Sequence, residues 1–162
     1  MSRRSLHVIE MRAELDLTGV GKGGLLIPES VRTVLESDKL AHVATIDRDG
    51  SPYITCAWVG VDGDDICIGT VSDQRKLQNI RRDPRVALSI ETDSLNPVGL
   101  KEYLVVYGRG RVTEGGAPEL LRQLAGTYLG PGVDFPPPGA PPGFVTRITP
   151  DRYGGVGPWA SA

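Results

Sequence analysis

Leu40-Ala41-His42-Val43-Ala44-Thr45-Ile46-Asp47-Arg48-Asp49-Gly50-Ser51-Pro52 is the stretch that decides the fold. Small and branched residues alternate over Leu40–Asp47, the period of a half-buried strand. Asp49-Gly50 is a tight-turn signal, because glycine takes a positive φ at no steric cost. The chain returns through Ser51–Val61, rich in β-branched and aromatic residues. Asp62-Gly63-Asp64 makes a second turn before a third strand, Asp65–Thr70. Strands joined by turns this tight run antiparallel.

Next comes Thr70-Val71-Ser72-Asp73-Gln74-Arg75-Lys76-Leu77-Gln78-Asn79-Ile80-Arg81-Arg82-Asp83-Pro84-Arg85. Leu77 and Ile80 share an apolar stripe at helical spacing, and Ser72 or Asp73 fits the N-cap. The unpaired N–H groups of a helix start, with Arg75 and Lys76 beside them, make a site for a phosphate group. The competing reading is a solvated basic surface helix.

Outside this centre, Pro28–Ser37 reads as a short helix with Val31, Val34 and Leu35 inward. Arg85–Thr92 and Glu102–Thr113 read as strands, with Gly108 and Gly110 marking a bulge or bend in the second. Ala117–Leu129 is an amphipathic helix, stopped by Gly130-Pro131. Asp134–Gly143 is a proline-rich loop, Phe144–Thr149 a last strand, and Asp151–Ala162 a glycine-rich tail. Six antiparallel strands with small helices at the ends curl into a barrel.

With 162 residues the chain supports one domain with a real core, and its net charge of −2 excludes a generally basic nucleic-acid binder. Any anion site is therefore local. Lysine occurs only at 22, 39, 76 and 101, so arginine dominates the cations and favours planar contact with phosphate and carboxylate. Cys56 and Cys67 fall at displaced positions on neighbouring strands, so they read as reduced apolar residues rather than a disulfide. Two cysteines and two histidines leave no zinc cluster. Glu10, Arg12, Glu14 and Asp16 break any apolar leader, and no stretch is long enough to span a bilayer, so a cytoplasmic location is expected. Gly19-Val20-Gly21-Lys22-Gly23-Gly24 lacks the Ser or Thr that a phosphate loop needs after its lysine, and reads as a flexible arm.

The hairpin Leu40–Pro52 resembles the opening of the pyridoxamine 5′-phosphate oxidase-like split β-barrel. Gln74-Arg75-Lys76 with Asn79-Ile80-Arg81-Arg82-Asp83-Pro84-Arg85-Val86 resembles that superfamily's phosphate-binding helix. Val145–Arg152 with Gly155-Val156-Gly157-Pro158-Trp159 resembles its deazaflavin-dependent branch, found mainly in actinobacteria. The resemblance covers about Ser30 to Trp159. It implies a mainly β, six-stranded antiparallel split barrel of the FMN-binding type, with an arm over residues 1–26 and the barrel over residues 27–162. It further implies a homodimer with cofactor sites at the subunit interface. The cofactor's ring would lie along the second strand, at Tyr53, Ile54, Thr55, Cys56, Ala57 and Trp58. Gly69 and Thr70 would approach the ring or its ribityl chain. Arg75 and Lys76 would hold the phosphate, with Asn79, Arg81 and Arg82 on the same helix.

Flavin mononucleotide (FMN) offers one phosphate. The deazaflavin coenzyme F420 adds a lactyl-oligoglutamate tail, and Arg81, Arg82 and Arg85 extend the positive surface to match it. Coenzyme F420 is thus the expected cofactor, with FMN as the alternative. Hydride transfer needs no protein nucleophile, because the cofactor carries the chemistry. Accordingly no catalytic side chain and no metal ligand set is assigned. His42 reads as a packed core histidine rather than a proton donor, and Cys56 as a small barrel residue. The turn carboxylates Asp62, Asp64 and Asp65 read as turn formers. Tyr103, Tyr107 and Tyr128 are core or interface aromatics. Trp58 and Trp159 either wall a planar substrate pocket or simply pack; Trp159 is the assigned substrate contact. Asp134–Pro142 is a lid or a fixed wall.

The function expected is hydride transfer from reduced coenzyme F420 to an unsaturated small organic substrate. The alternatives are an FMN-dependent oxidase or reductase of the pyridoxamine-phosphate type, and a carrier that binds the cofactor without turnover. No nucleic-acid or membrane partner is expected.

Overall fold

The structure, a computed structural model, describes residues 25–161. The expected arm over residues 1–26 lies outside that range except for its last two residues, as does the glycine run before it. The elements are α1 (Glu29–Leu35), β1 (Ala41–Ile46), β2 (Pro52–Ala57), β3 (Gly60–Asp62), β4 (Asp65–Thr70), α2 (Arg75–Arg82), β5 (Arg85–Leu95), β6 (Lys101–Glu114), α3 (Ala117–Tyr128) and β7 (Phe144–Val156), then a short 3-10 turn at Pro158–Ser161.

Seven strands form one antiparallel sheet in the order β2-β1-β5-β6-β7-β4-β3, one more than the six expected. The added strand arises because the segment read as Ser51–Val61 serves two edges. Residues Pro52–Ala57 pair with β1, and Gly60–Asp62 pair with β4. Between them the chain crosses from one edge of the sheet to the other, and the Val59 N–H donates to the Tyr128 hydroxyl (3.0 Å) instead of to a strand. That crossing is the split in the barrel. The last strand also outruns its expected end at Thr149: β7 continues to Val156, paired to β6 as far as Tyr103↔Val156.

The β1–β2 turn closes through Gly50 N–H to the Asp47 carbonyl (2.9 Å) and Asp47 N–H to the Ser51 carbonyl (2.8 Å). Gly50 takes φ +85°, and the Asp49 carboxylate accepts from the Ser51 N–H (3.0 Å). Alternation along β1, β5 and β6 sends Val43, Val86, Leu88, Ile90, Leu104 and Val106 into a core with α1's Val31 and Leu35. α2 plugs one end, burying Leu77, Ile80 and Asn79. Gly110 lets it do so, since a Cβ there would sit 2.9 Å from Ile80 Cγ2. Beside that contact the register shifts, with Tyr107 opposite Arg152 and Gly108 opposite Pro150, so the extra residue, Asp151, puts the bulge in β7, opposite the glycines expected to mark it. α3 lies outside β4, with Leu121 against Gly69 and Leu124 against Gly60. Among the described residues, no helix is long and apolar enough to cross a membrane.

Candidate functional site: an anion corner beside an edge strand

α2 begins at Arg75, after Gln74, and no side chain caps it. The expected caps, Ser72 and Asp73, fall short of the helix. Asp73 instead accepts a charge-assisted hydrogen bond from Arg81 (2.8 Å). The first turn therefore keeps its orphan N–H groups and carries no acid. Lys76 lies in this turn, only 7% exposed. Its Nζ donates to the neutral Gln74 Oε1 (2.7 Å); no ion pair with a carboxylate is found for it among the described residues. Burial lowers its pKa. A buried cation facing only an amide is costly, and an anion at the helix start would relieve that cost.

Arg75 is held along one edge and over one face. Its Nε donates to Asp47 Oδ1 (2.9 Å) and its Nη2 to Asp47 Oδ2 (2.5 Å). Its guanidinium carbon lies 4.9 Å from the Tyr53 ring centroid. Asn79, buried, donates from Nδ2 to Thr45 Oγ1 (3.1 Å) and Asp47 Oδ1 (2.8 Å). Arg82 donates to the Ile46 carbonyl and to Asn79 Oδ1 (3.1 Å). α2 and the end of β1 thus form one polar lattice, organised by the Asp47 carboxylate, which the sequence places at the end of the first strand with no role in the site. The signal was present. Alternation puts Thr45 and Asp47 on the inward face of β1, and buried polar groups need partners.

β2 runs from this corner along an edge of the sheet, so one side of its backbone is unpaired. Tyr53, Thr55 and Ala57 turn inward, while Ile54 and Cys56 are exposed. Trp58, just past the strand, is half-buried, stacked on Tyr128 (5.1 Å, 7° between planes) and edge-on to Phe135 (5.2 Å). Two of the three buried hydroxyls without a hydrogen-bond partner, Thr55 and Thr70, belong to the expected site. The third among the described residues, Thr146, is opposite Ile68 in the β4–β7 ladder, two residues along from the partner of Thr70. Gly69 is closed on its Cβ side by Leu121.

Several expectations need correction. Arg81, Arg82 and Arg85 do not form a free positive surface: they are engaged by Asp73, by Ile46 and Asn79, and by Asp83 respectively. Arg85's hydrogen bonds hold the Asp83 carboxyl down at about 2. His42 is exposed on the outer sheet face rather than packed, because alternation gives the inward places to Ala41 and Val43. Trp159 is 2% exposed within the core, and its indole N–H donates to the Tyr103 carbonyl (3.2 Å), so in this chain it packs. The turn carboxylates are occupied structurally: Asp64 accepts from the Ile27 N–H and Asp65 pairs with Arg111 (2.5 Å). Among the described residues no group of three or more His, Cys, Asp or Glu is placed to hold a metal ion. A cleft of about 620 Å³ beside α3, lined in part by Cys67, Glu114, Glu119 and Arg147, includes no residue of α2.

The comparisons agree with this architecture. The family model for pyridoxamine 5′-phosphate oxidase matches residues 27–157. A solved F420 reductase shares 25% identity, with 79% of this chain and 98% of that one covered at a TM-score of 0.64. A conserved hypothetical protein from Mycobacterium tuberculosis shares 26% identity over 82% of this chain and 86% of that one (TM-score 0.62). A FAD-binding protein from Mesorhizobium loti, at 22% identity, 76% and 88% coverage and a TM-score of 0.54, shares the fold. No curated protein matches the chain. The split barrel, the uncapped basic helix and the match over residues 27–157 make this chain a member of the pyridoxamine 5′-phosphate oxidase family.

Proposed function

We propose that the protein is an oxidoreductase that binds the deazaflavin coenzyme F420 and uses its reduced form on an unsaturated small organic substrate. The observation that carries this reading is Lys76, a buried lysine with no carboxylate partner among the described residues at the uncapped start of α2. A phosphate ester there takes charge-assisted hydrogen bonds from Lys76, from the spare edge of Arg75 and from the helix N–H groups. The unpaired backbone edge of β2 offers donors and acceptors to the polar rim of a planar heteroaromatic ring. Thr55 and Thr70 have hydroxyls to spare for a polyhydroxyl chain. When bound, the reduced deazaflavin supplies the hydride. The protein's part is to hold and orient the ring and keep one face open. The likeness to a solved F420 reductase favours the deazaflavin.

A specific observation favours FMN as the second reading. With Arg81, Arg82 and Arg85 already engaged, the corner supplies cations for one phosphate and few for a polyanionic tail. Fluorescence titration of the purified protein with each dye decides between them. Coenzyme F420 is expected to bind at micromolar or tighter affinity and FMN clearly more weakly; the reverse order assigns the site to FMN.

The functional unit in this reading is a homodimer. The outer faces of β2, β1, β5, β6 and β7 present Ile54 (63% exposed), Ala44, Ala87, Val105 and Gly154 around the polar His42 and Ser89 as a largely apolar surface. Glu91 marks one end of this face. Arg152, 3.7 Å from the Tyr107 ring centroid, marks the other. A twofold axis through the middle sets these opposite charges against each other, which fits a second copy of the chain.

A further inference from the structure

We infer that Asp47 is the positioning residue of the anion corner, gripping Arg75 so that the unused edge of its guanidinium is aimed at the ligand phosphate; this rests on the function proposed above. A guanidinium has five N–H donors in a fixed fork. The side-on pair with Asp47 uses the Nε and Nη2 edge (2.9 and 2.5 Å) and leaves Nη1 with no hydrogen-bond partner among the described residues. The Tyr53 ring covers one face of the guanidinium, so the group is fixed in rotation and in tilt.

Asp47 is itself held. It is buried, Asn79 donates to its Oδ1 (2.8 Å), and its backbone closes the β1–β2 turn through Ser51 and Gly50. Arg75, by contrast, is well exposed along its side chain and would otherwise sample many rotamers, each costing entropy on binding. A carboxylate beside an anion site is unfavourable by charge alone. Its placement is understandable if preorganisation of Arg75 outweighs the repulsion.

This makes the sign of one measurement decisive. If charge dominated, removing the Asp47 carboxylate would tighten binding of a phosphate ester. If positioning dominates, removal weakens it. The experiment titrates coenzyme F420, and FMN in parallel, into the wild-type protein, Asp47→Asn, Asp47→Ala, Arg75→Ala and the Asp47→Ala/Arg75→Ala double variant, with thermal melting of each. We expect both Asp47 variants to bind at least about fivefold more weakly than wild type, and Arg75→Ala to lose much of its effect in the Asp47→Ala background. Asp47→Asn is nearly isosteric and keeps an acceptor for Asn79, so it carries the test if Asp47→Ala fails to fold. Unchanged or tighter binding by Asp47→Asn, with Arg75→Ala still weakening binding, overturns the positioning role and leaves the corner intact. Wild type that binds neither dye overturns the function proposed above, and this inference with it.

Discussion

Replacing Lys76 by methionine should push stability and affinity in opposite directions. Methionine keeps much of the unbranched stem and removes the ammonium of a residue that is 7% exposed and whose Nζ, among the described residues, donates only to Gln74 Oε1. Without ligand, the variant loses one hydrogen bond, worth about 1 kcal/mol, and escapes the desolvation cost of a charge with no carboxylate beside it. Substitutions that exchange buried charge for apolar volume are often neutral or stabilising. The expected net is a gain of about 1 kcal/mol, a rise in Tm of about 3 °C for a domain of this size. With ligand, the variant loses a charge-assisted contact worth about 2 kcal/mol, roughly a thirtyfold rise in Kd. Thermal melting with and without dye, together with fluorescence titration, reads both signs. A variant that melts lower than wild type while binding the dye equally well would mean that Lys76 serves the fold alone, and would refute the reasoning.

Three further outcomes follow from the same geometry. Burial lowers the Lys76 pKa below its ordinary 10.5; the ammonium binds the phosphate, so affinity should fall with rising pH, beginning below 10.5. Lys76→Arg, which stays protonated, should bind with a flatter pH profile over the same range, as titrations between pH 7 and 10 would record. In the monomeric form, a thiol reagent at pH 8 should modify Cys56, exposed on the outer sheet face, and spare Cys67, whose thiol burial pushes up to about 11, as peptide mass mapping would reveal. Val105→Arg, in the middle of the outer sheet face, should yield a monomer by light scattering and leave the melting temperature of the monomeric fold within a few degrees.

The strands were legible because their alternation is strong and their turns carry Asp-Gly signals. α2 was legible from Leu77 and Ile80, whereas Gly110, expected to mark a bulge or bend, instead clears space for Ile80 of that helix. The division of Ser51–Val61 into two strands was not, because both halves share one β-rich composition and the crossing depends on a bond to Tyr128, distant in sequence. The helix cap was misplaced for a similar reason: Asp73 is a good cap by type, but a tertiary partner, Arg81, takes it. At the site, the cationic residues were visible and their partners were not. Charge counting treats Arg81, Arg82 and Arg85 as available, whereas the fold supplies Asp73, Ile46, Asn79 and Asp83 to engage them. Asp47 was legible as the end of the first strand, but its role was not, because the side chains it organises, Arg75 and Asn79, are distant in sequence.

The central claim is that the start of α2 holds the phosphate of a redox dye. A crystal structure of the protein grown with saturating coenzyme F420 tests it most directly. The account predicts phosphate density within hydrogen-bond reach of Lys76 Nζ and Arg75 Nη1, with the ring running along β2. Well-defined dye bound elsewhere, with only solvent beside Lys76, would contradict it.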